Sequence, residues 1–408
     1  MSQNTPTVDI PQMSHSAATR HILTTVLFSF LCYLSIGLPL AVLPGFVHVD
    51  LAFGSILAGL AISMQYVATV ISRPWAGRMA DSAGPKRTVT LGLYVMGAGG
   101  LLTAVASWLG QTPWLSLVVL MIARLGIGFA ESWVATGSIT WGIGQVGAVS
   151  TGRVISWNGI ATFGGLAIGA PLGVIINDAG GLGAIGLTTL AFAVGGALLA
   201  RRKPATPVLG GKELAFRSVL SRVAPYGMSL ALGAVGFGAL ASFVALYYAN
   251  RGWLNPAYAL TAFGAFFVIT RLVLANAINR FGGFRVSIFS LATECVGLML
   301  LWLADSPAAA LTGAALTGVG YALVFPGLAV EAVKLVPPNH RGSALGAYSL
   351  FLDLAMGITG PIAGLIVTGF GYPEIFLFAM LCAVAATGIA IALYLRSERT
   401  LRAENAAG

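Results

Sequence analysis

Arg73-Pro-Trp-Ala-Gly77-Arg78-Met-Ala-Asp81-Ser-Ala-Gly84-Pro-Lys86-Arg87 joins two long apolar runs, and a weaker copy follows 198 residues later: Arg271-Leu-Val-Leu-Ala-Asn-Ala-Ile-Asn279-Arg280-Phe-Gly282-Gly-Phe-Arg285. Arg73 matches Arg271, Asp81 matches Asn279, Gly84 matches Gly282 and Arg87 matches Arg285. A basic turn repeated at that distance marks an internal duplication, and in an apolar chain it marks a membrane protein built from two related halves.

The composition requires lipid. Of 408 residues, 57% are hydrophobic and 9% charged, against roughly 25% charged in soluble domains, so no water-soluble fold covers this much apolar surface. The 53 glycines suit helices that approach closely in a bilayer. A span needs about 20 mainly apolar residues, and twelve are expected: 22–46, 53–75, 88–109, 114–139, 153–176, 182–200, 219–249, 256–278, 284–304, 308–333, 342–370 and 374–395. Turn signals at Asp81–Pro85, Gln111–Pro113, Asn177–Gly180, Asp305–Pro307, Pro337–Asn339 and Gly371–Pro373 separate them. The expected organisation is a tail at 1–20, a six-helix bundle at 21–200, a polar linker at 201–218, a second bundle at 219–396 and a tail at 397–408. The first apolar run is too long for a signal-peptide core and no small-residue cleavage site follows it, so it is expected to be retained.

Charge sets the orientation. With the N-terminus inside, 20 of the 22 Lys and Arg residues fall at the cytoplasmic side. They include the Arg73–Arg87 group, Arg201, Arg202, Lys203, Lys212, Arg217, Arg271 and Arg285. Arg251 alone falls outside and Arg124 alone mid-membrane. The net charge of +9 is thereby topological and does not call for nucleic acid. Cys32, Cys295 and Cys382 lie in apolar runs with no disulfide or metal spacing. His15, His21, His48 and His340 are terminal or loop residues. No cofactor, metal or catalytic group is expected: no metal cluster, nucleophile–base pair or phosphate loop is visible.

Arg124 and Glu131 lie seven residues apart, nearly two turns, on one helical face about 10 Å apart along the axis. A charge at the bilayer centre costs about 2.5–3.5 kcal/mol on insertion scales, so each is either functional or part of a structural pair tying its span to a neighbour. Their repeat mates, Leu316 and Leu323, are apolar. Asp353, in Tyr348-Ser-Leu-Phe-Leu-Asp353, has no basic residue near it in sequence. It is a candidate for gaining and losing a proton or for meeting a cationic substrate group; the alternative is a carboxylate hydrogen-bonded to a neighbouring helix. Glu294 is central in the ninth span. Glu331 and Lys334 are expected to pair at a spacing of three. Gly165, Gly169 and Gly173 form a stripe with Pro171, echoed by Gly357, Gly360, Pro361 and Gly364, and are expected to pack the fifth span at the interface between halves. Tyr33, Gln65, Tyr66, Asn158, Tyr247, Tyr321 and Tyr348 are candidate cavity groups, each with a packing alternative.

Together the loop Gly77–Arg87, Arg124 with Gly128, and Gly169-Ala-Pro171-Leu-Gly173 resemble motifs of the major facilitator superfamily. The last two resemble those of its drug/proton antiporters. Residues 124–173, with Glu131-Ser132, Trp141-Gly-Ile-Gly144 and Gly152–Gly159, resemble the YhhS/YfcJ branch of bacterial facilitators. Asn279, Ile127 and Ala170 depart from the motifs. The resemblance covers about residues 20–396. It implies an all-α fold of 12 transmembrane helices in two pseudo-symmetric six-helix bundles. It further implies a monomer in the bacterial inner membrane that moves a small molecule together with protons, and a gate in which Asp81, with Gly77, Arg78, Gly84, Lys86 and Arg87, latches the halves against the start of the eleventh span. Arg124, Glu131 and Asp353 are then the candidate proton-coupling or substrate residues. Export is the leading expectation and uptake symport of a sugar or other organic solute the alternative. A non-transporting membrane sensor is a remote third.

Overall fold

The computed structural model describes residues 15–147, 150–206, 216–335 and 341–407. Lys212, His340 and the turn at Pro337–Asn339 lie outside the described residues. All regular structure among the described residues is helical. In chain order the helices are α1 (His15–Gly37), α2 (Leu43–Gly45), α3 (Ser55–Ser82), α4 (Pro85–Trp108), α5 (Pro113–Val146), α6 (Thr151–Arg202), α7 (Phe216–Asn250), α8 (Ala257–Val273), α9 (Ala277–Phe281), α10 (Gly283–Trp302), α11 (Pro307–Tyr321), α12 (Val324–Val333), α13 (Arg341–Phe370) and α14 (Glu374–Ala407). A π-helical turn, Phe46–Asp50, follows α2.

Ten helical runs are long and apolar enough to cross a membrane, with α11 and α12 counting as one. The 52-residue α6 is two crossings, because Gly180 and Gly181 have non-helical backbone angles inside it. The 17-residue α8 is the remaining apolar helix. Twelve crossings result, as the hydrophobic pattern requires. Boundaries moved where backbone chemistry intervened. The first span stops at Gly37, two residues before Pro39, instead of running to 46. α5 and α14 continue through polar residues beyond their apolar cores, to Val146 and Ala407. Pro85, Pro113 and Pro307 sit in the first turn of their helices, where the missing N–H costs nothing.

The duplicated turn is built the same way twice. Gly84 caps α4 with φ 92° and Gly282 caps α10 with φ 85°, a region open to glycine and strained for other L-residues. These turns define the basic end of the molecule. Large side chains such as Ile122, Leu198, Phe289 and Val384 are exposed, while alanines pack inside beside buried aromatics such as Trp141 and Phe263. That distribution suits a lipid solvent.

α1 and α3–α6 pack with one another, and α7, α8 and α10–α14 pack with one another. The two bundles meet mainly along two seams, α3 against α13 and α6 against α8, which are repeat equivalents. On the first, Gly364 lies on the backbone of Ser55 and Ile56 and Gly357 on Val67. Gly59 and Gly360 oppose each other so closely that a Cβ on either would stand 2.5 Å from the other's carbonyl oxygen. On the second, Thr261 Oγ1 donates to Ala167 O at 3.1 Å, and the Phe163 and Phe267 rings stack 3.7 Å apart.

One expectation is corrected here. Gly165, Gly169 and Gly173 do not face the other half: they lie on the backbone of α1 and the residue after it, at Phe30, Leu34, Gly37 and Leu38. The surface that α6 turns toward the second half carries Phe163 and Ala167 instead. The echo on α13 (Gly357, Gly360 and Gly364) is the glycine stripe that lines a seam. The sequence pattern is duplicated but the partner is not, because a helix with small residues on two faces can use either.

Candidate functional site

α3 presents Gln65, Thr69 and Arg73 four residues apart, on one stripe. α5 packs against it through Gly128, where any side chain would overlap the Gln65 backbone. This close approach brings the charged groups of α5 onto α3. Glu131 Oε2 accepts from Gln65 Nε2 at 2.7 Å and from Thr69 Oγ1 at 3.2 Å. Arg124 Nε donates to Ala61 O at 3.1 Å, and one terminal nitrogen has no partner. Arg124 and Glu131 therefore share a face as their spacing requires, but each reaches across to α3 and they form no ion pair with each other. Tyr33, from α1, is in electrostatic range of Glu131, Arg73 and Asp353.

Asp353, midway along α13, is paired. Its carboxylate takes Arg73 Nε on one oxygen and Arg73 Nη2 at 2.9 Å on the other. The aspartate side chain is 5% exposed and the arginine 23%. The two-pronged geometry is the strong form of an arginine–carboxylate contact, and it joins the first half to the second. Charge counting places Arg73 with the topological residues at the membrane face. It sits nine residues before the end of α3, about 13 Å along the axis from the helix end, in the seam. The signal available in the sequence was the duplication: Arg73 is the residue at which the repeat begins.

The remaining candidates separate. Asn158 Oδ1 accepts from Ser29 Oγ at 2.6 Å and ties α6 to α1. Tyr66 is buried beside Arg124 and Glu131. Tyr321 is 2% exposed with its hydroxyl unpartnered. Tyr247 does not face the centre: its hydroxyl donates to Leu301 O at 3.1 Å, and its ring packs on Trp253 and Phe376. Tyr348 also serves packing, donating to Phe325 O at 3.2 Å. Glu294 is fully buried against Gly236 and Gly320, with both oxygens unpartnered. Glu331 pairs with Lys334 at 2.7 Å and accepts from Gly283 N at 3.2 Å, at the start of α10, where a carboxylate complements the helix dipole.

At the basic turn, Asp81 is exposed near the end of α3 and Gly77 faces open space. Arg78 Nε donates to Pro74 O at 3.3 Å, and Arg87 is exposed. Lys86 Nζ donates to the carbonyls of Arg201 and Lys203 at 3.0 and 2.6 Å. It thereby satisfies the C-terminal end of α6 within its own half. No group of three or more potential metal ligands occurs among the described residues.

Two duplicated bundles thus meet at paired seams, with a two-pronged ion pair across one of them. The family model described as Major Facilitator Superfamily matches residues 25–260 and 252–408. An MFS-type transporter of Burkholderia pseudomallei (strain 1106a) is 54% identical over 383 residues, covering 94% of each chain. One of Pseudomonas aeruginosa (strain UCBPP-PA14) is 51% identical over 394 residues, covering 97% of this chain and 98% of its own. The crystal structure of a D-xylose-proton symporter superposes with a TM-score of 0.75 at 16% identity, over 91% of this chain and 97% of that one, a likeness of fold. The chain belongs to the major facilitator superfamily.

Proposed function

We propose that the protein is a proton-coupled exporter of small amphipathic molecules. It works by alternating access in a bacterial inner membrane, as a monomer of the YhhS/YfcJ-like branch, with both termini cytoplasmic. The observation that carries this is the Arg73–Asp353 pair. A buried pair joins two moving halves, and one member can take up a proton. Removing the charge from one partner of such a pair costs about 3–5 kcal/mol, enough to shift a two-state equilibrium a hundredfold or more. A proton arriving at Asp353 thus releases Arg73 and frees the halves to move. Glu131, held by Gln65 and Thr69 on the same stripe, is the second acid, and relays or tunes that proton. Asp81 and the basic turn latch the cytoplasmic side, with Gly84 supplying the tight turn. The Arg124–Gly128 motif and the glycine-rich fifth span support export.

The experiment is substrate-driven proton movement in vesicles of known orientation. Export by exchange requires substrate and protons to move in opposite directions. Movement in the same direction replaces it with uptake symport. Glu131→Gln is expected to lower the proton flux about tenfold while leaving the halves paired, since it removes the charge but keeps an acceptor for Gln65 and Thr69; full wild-type flux in this variant removes Glu131 from the coupling path.

A further inference from the structure

The duplication places two arginines at equivalent positions, Arg73 on α3 and Arg271 on α8. Their fates differ. Arg73 crosses its seam to a carboxylate. Arg271 faces its own seam, α8 against α6, and among the described residues it has no carboxylate there. Its Nε donates to Ala322 O at 3.0 Å, at the break between α11 and α12. Its guanidinium lies 4.8 Å over the Phe267 ring, and one terminal nitrogen presses against Gly159, where a side chain would displace it. The residue is half-buried, and among the described residues neither terminal nitrogen has a hydrogen-bond acceptor. The groups of neighbouring helices in electrostatic range of Tyr321 are Arg271, Glu294, Asp353 and Tyr66; of the two acids, Asp353 is committed to Arg73 and Glu294 lies among α7, α10 and α11.

A guanidinium without an anion at a seam between membrane helices is costly. Beside it stands a second unmet group, the buried Tyr321 hydroxyl, a donor with no acceptor. Around both is an aromatic cluster from the two halves. Phe163 of the first half stacks on Phe267 and meets Phe237 and Tyr321 edge-on at 5.7 and 6.3 Å. The terminal nitrogens of Arg271 and the Tyr321 hydroxyl, set without acceptors against an aromatic wall at a seam between the halves, describe what belongs there. An anion satisfies the donors and a planar apolar body satisfies the wall.

We propose that Arg271 and Tyr321 form the substrate-binding pole for amphipathic organic anions, the carboxylate or another acidic oxygen group seated on the guanidinium and the phenol, and the apolar body on Phe163, Phe237 and Phe267. The proposal rests on the reading of the chain as a transporter of small amphipathic molecules, and it sharpens that reading. An inside-negative membrane drives a monovalent anion outward by about 2.3 kcal/mol per 100 mV, the same direction as export.

The test uses the purified full-length protein in nanodiscs, without any gradient. Matched probes of one shape and three charges are 2-naphthoate, 2-naphthalenemethanol and 2-naphthylmethylammonium, with benzoate, benzyl alcohol and benzylammonium as a second set; binding is followed by thermal shift. The acids are expected to bind at least about tenfold more tightly than their alcohols, the amines not at all. Arg271→Gln is expected to weaken the acids by about tenfold or more and leave the alcohols unchanged, as loss of a charge-assisted contact requires. Tyr321→Phe removes one hydroxyl and is expected to weaken the acids several-fold. Arg271→Lys keeps the charge without the fork and is expected to retain part of the preference, so the question stays open to an answer if the glutamine variant fails to fold. Acids that bind no better than alcohols, or a preference that survives in Arg271→Gln or, should that variant not fold, is undiminished in both Arg271→Lys and Tyr321→Phe, overturn the proposal. Binding without a gradient is independent of coupling: a protein that prefers acids but moves no protons loses the export proposal and keeps this site.

Discussion

Asp353→Asn abolishes substrate-driven proton movement, lowering it about a hundredfold to background, while substrate binding stays within several-fold of wild type. The asparagine keeps the shape and one acceptor for Arg73 but cannot hold the charge. Arg73, 23% exposed, is then left in the seam against a neutral partner, and losing one member of a fully buried pair costs about 3–5 kcal/mol at most. Arg73→Gln is expected to destabilise in the same way, since it strands the carboxylate. The double variant Arg73→Gln/Asp353→Asn is the informative one. With both charges gone it recovers thermal stability, with a coupling of about 1 kcal/mol or more in the mutant cycle, yet its proton flux stays at background. A purely structural tether behaves otherwise: the double variant then recovers transport together with stability. The measurement is proton flux and melting temperature on all four proteins, and wild-type flux in Asp353→Asn removes Asp353 from the coupling path.

The sequence carried the scaffold because the scaffold is written in short-range signals. Twelve apolar runs, their breaks at proline and glycine, and the basic turn repeated at one offset are each visible within twenty residues. The site is a long-range object. Arg73 and Asp353 are 280 residues apart, and nothing local to Asp353 announces a cation. Arg124 and Glu131 stand out because each is a charge on an apolar helix, and their spacing puts them on one face. What they share is a neighbouring helix, brought within reach by Gly128. Tyr247 and Tyr348 show the opposite limit. A tyrosine in a span is apolar and polar at once, and only the position of a backbone carbonyl, Leu301 for one and Phe325 for the other, decides that both are packing residues.

The two glycine stripes give the sharpest separation between holding a half together and moving the halves. Gly360→Ala is expected to open the seam at the end of the molecule away from the basic turns. A Cβ there meets the Gly59 carbonyl at 2.5 Å and the Ser63 side chain more closely still, and since Gly59 is backbone, α3 and α13 relieve the overlap only by moving apart. Gly173→Ala creates an overlap of the same kind with the Leu38 carbonyl, but inside one half. It is expected to cost about 1–3 kcal/mol of stability, as overpacking does, without changing how the halves stand. Spin labels at Gln111→Cys and Asp305→Cys report on this, because both residues are exposed and lie in the α4–α5 and α10–α11 turns, at the end opposite Gly84 and Gly282. Cys32, Cys295 and Cys382 are replaced in the background. Gly360→Ala is expected to make a longer-distance population dominant and to slow transport; Gly173→Ala is expected to lower the melting temperature with the distances unchanged. The reverse pattern, distances that respond to Gly173 and not to Gly360, would place the moving seam between α6 and α1 and would reassign the transport contacts accordingly.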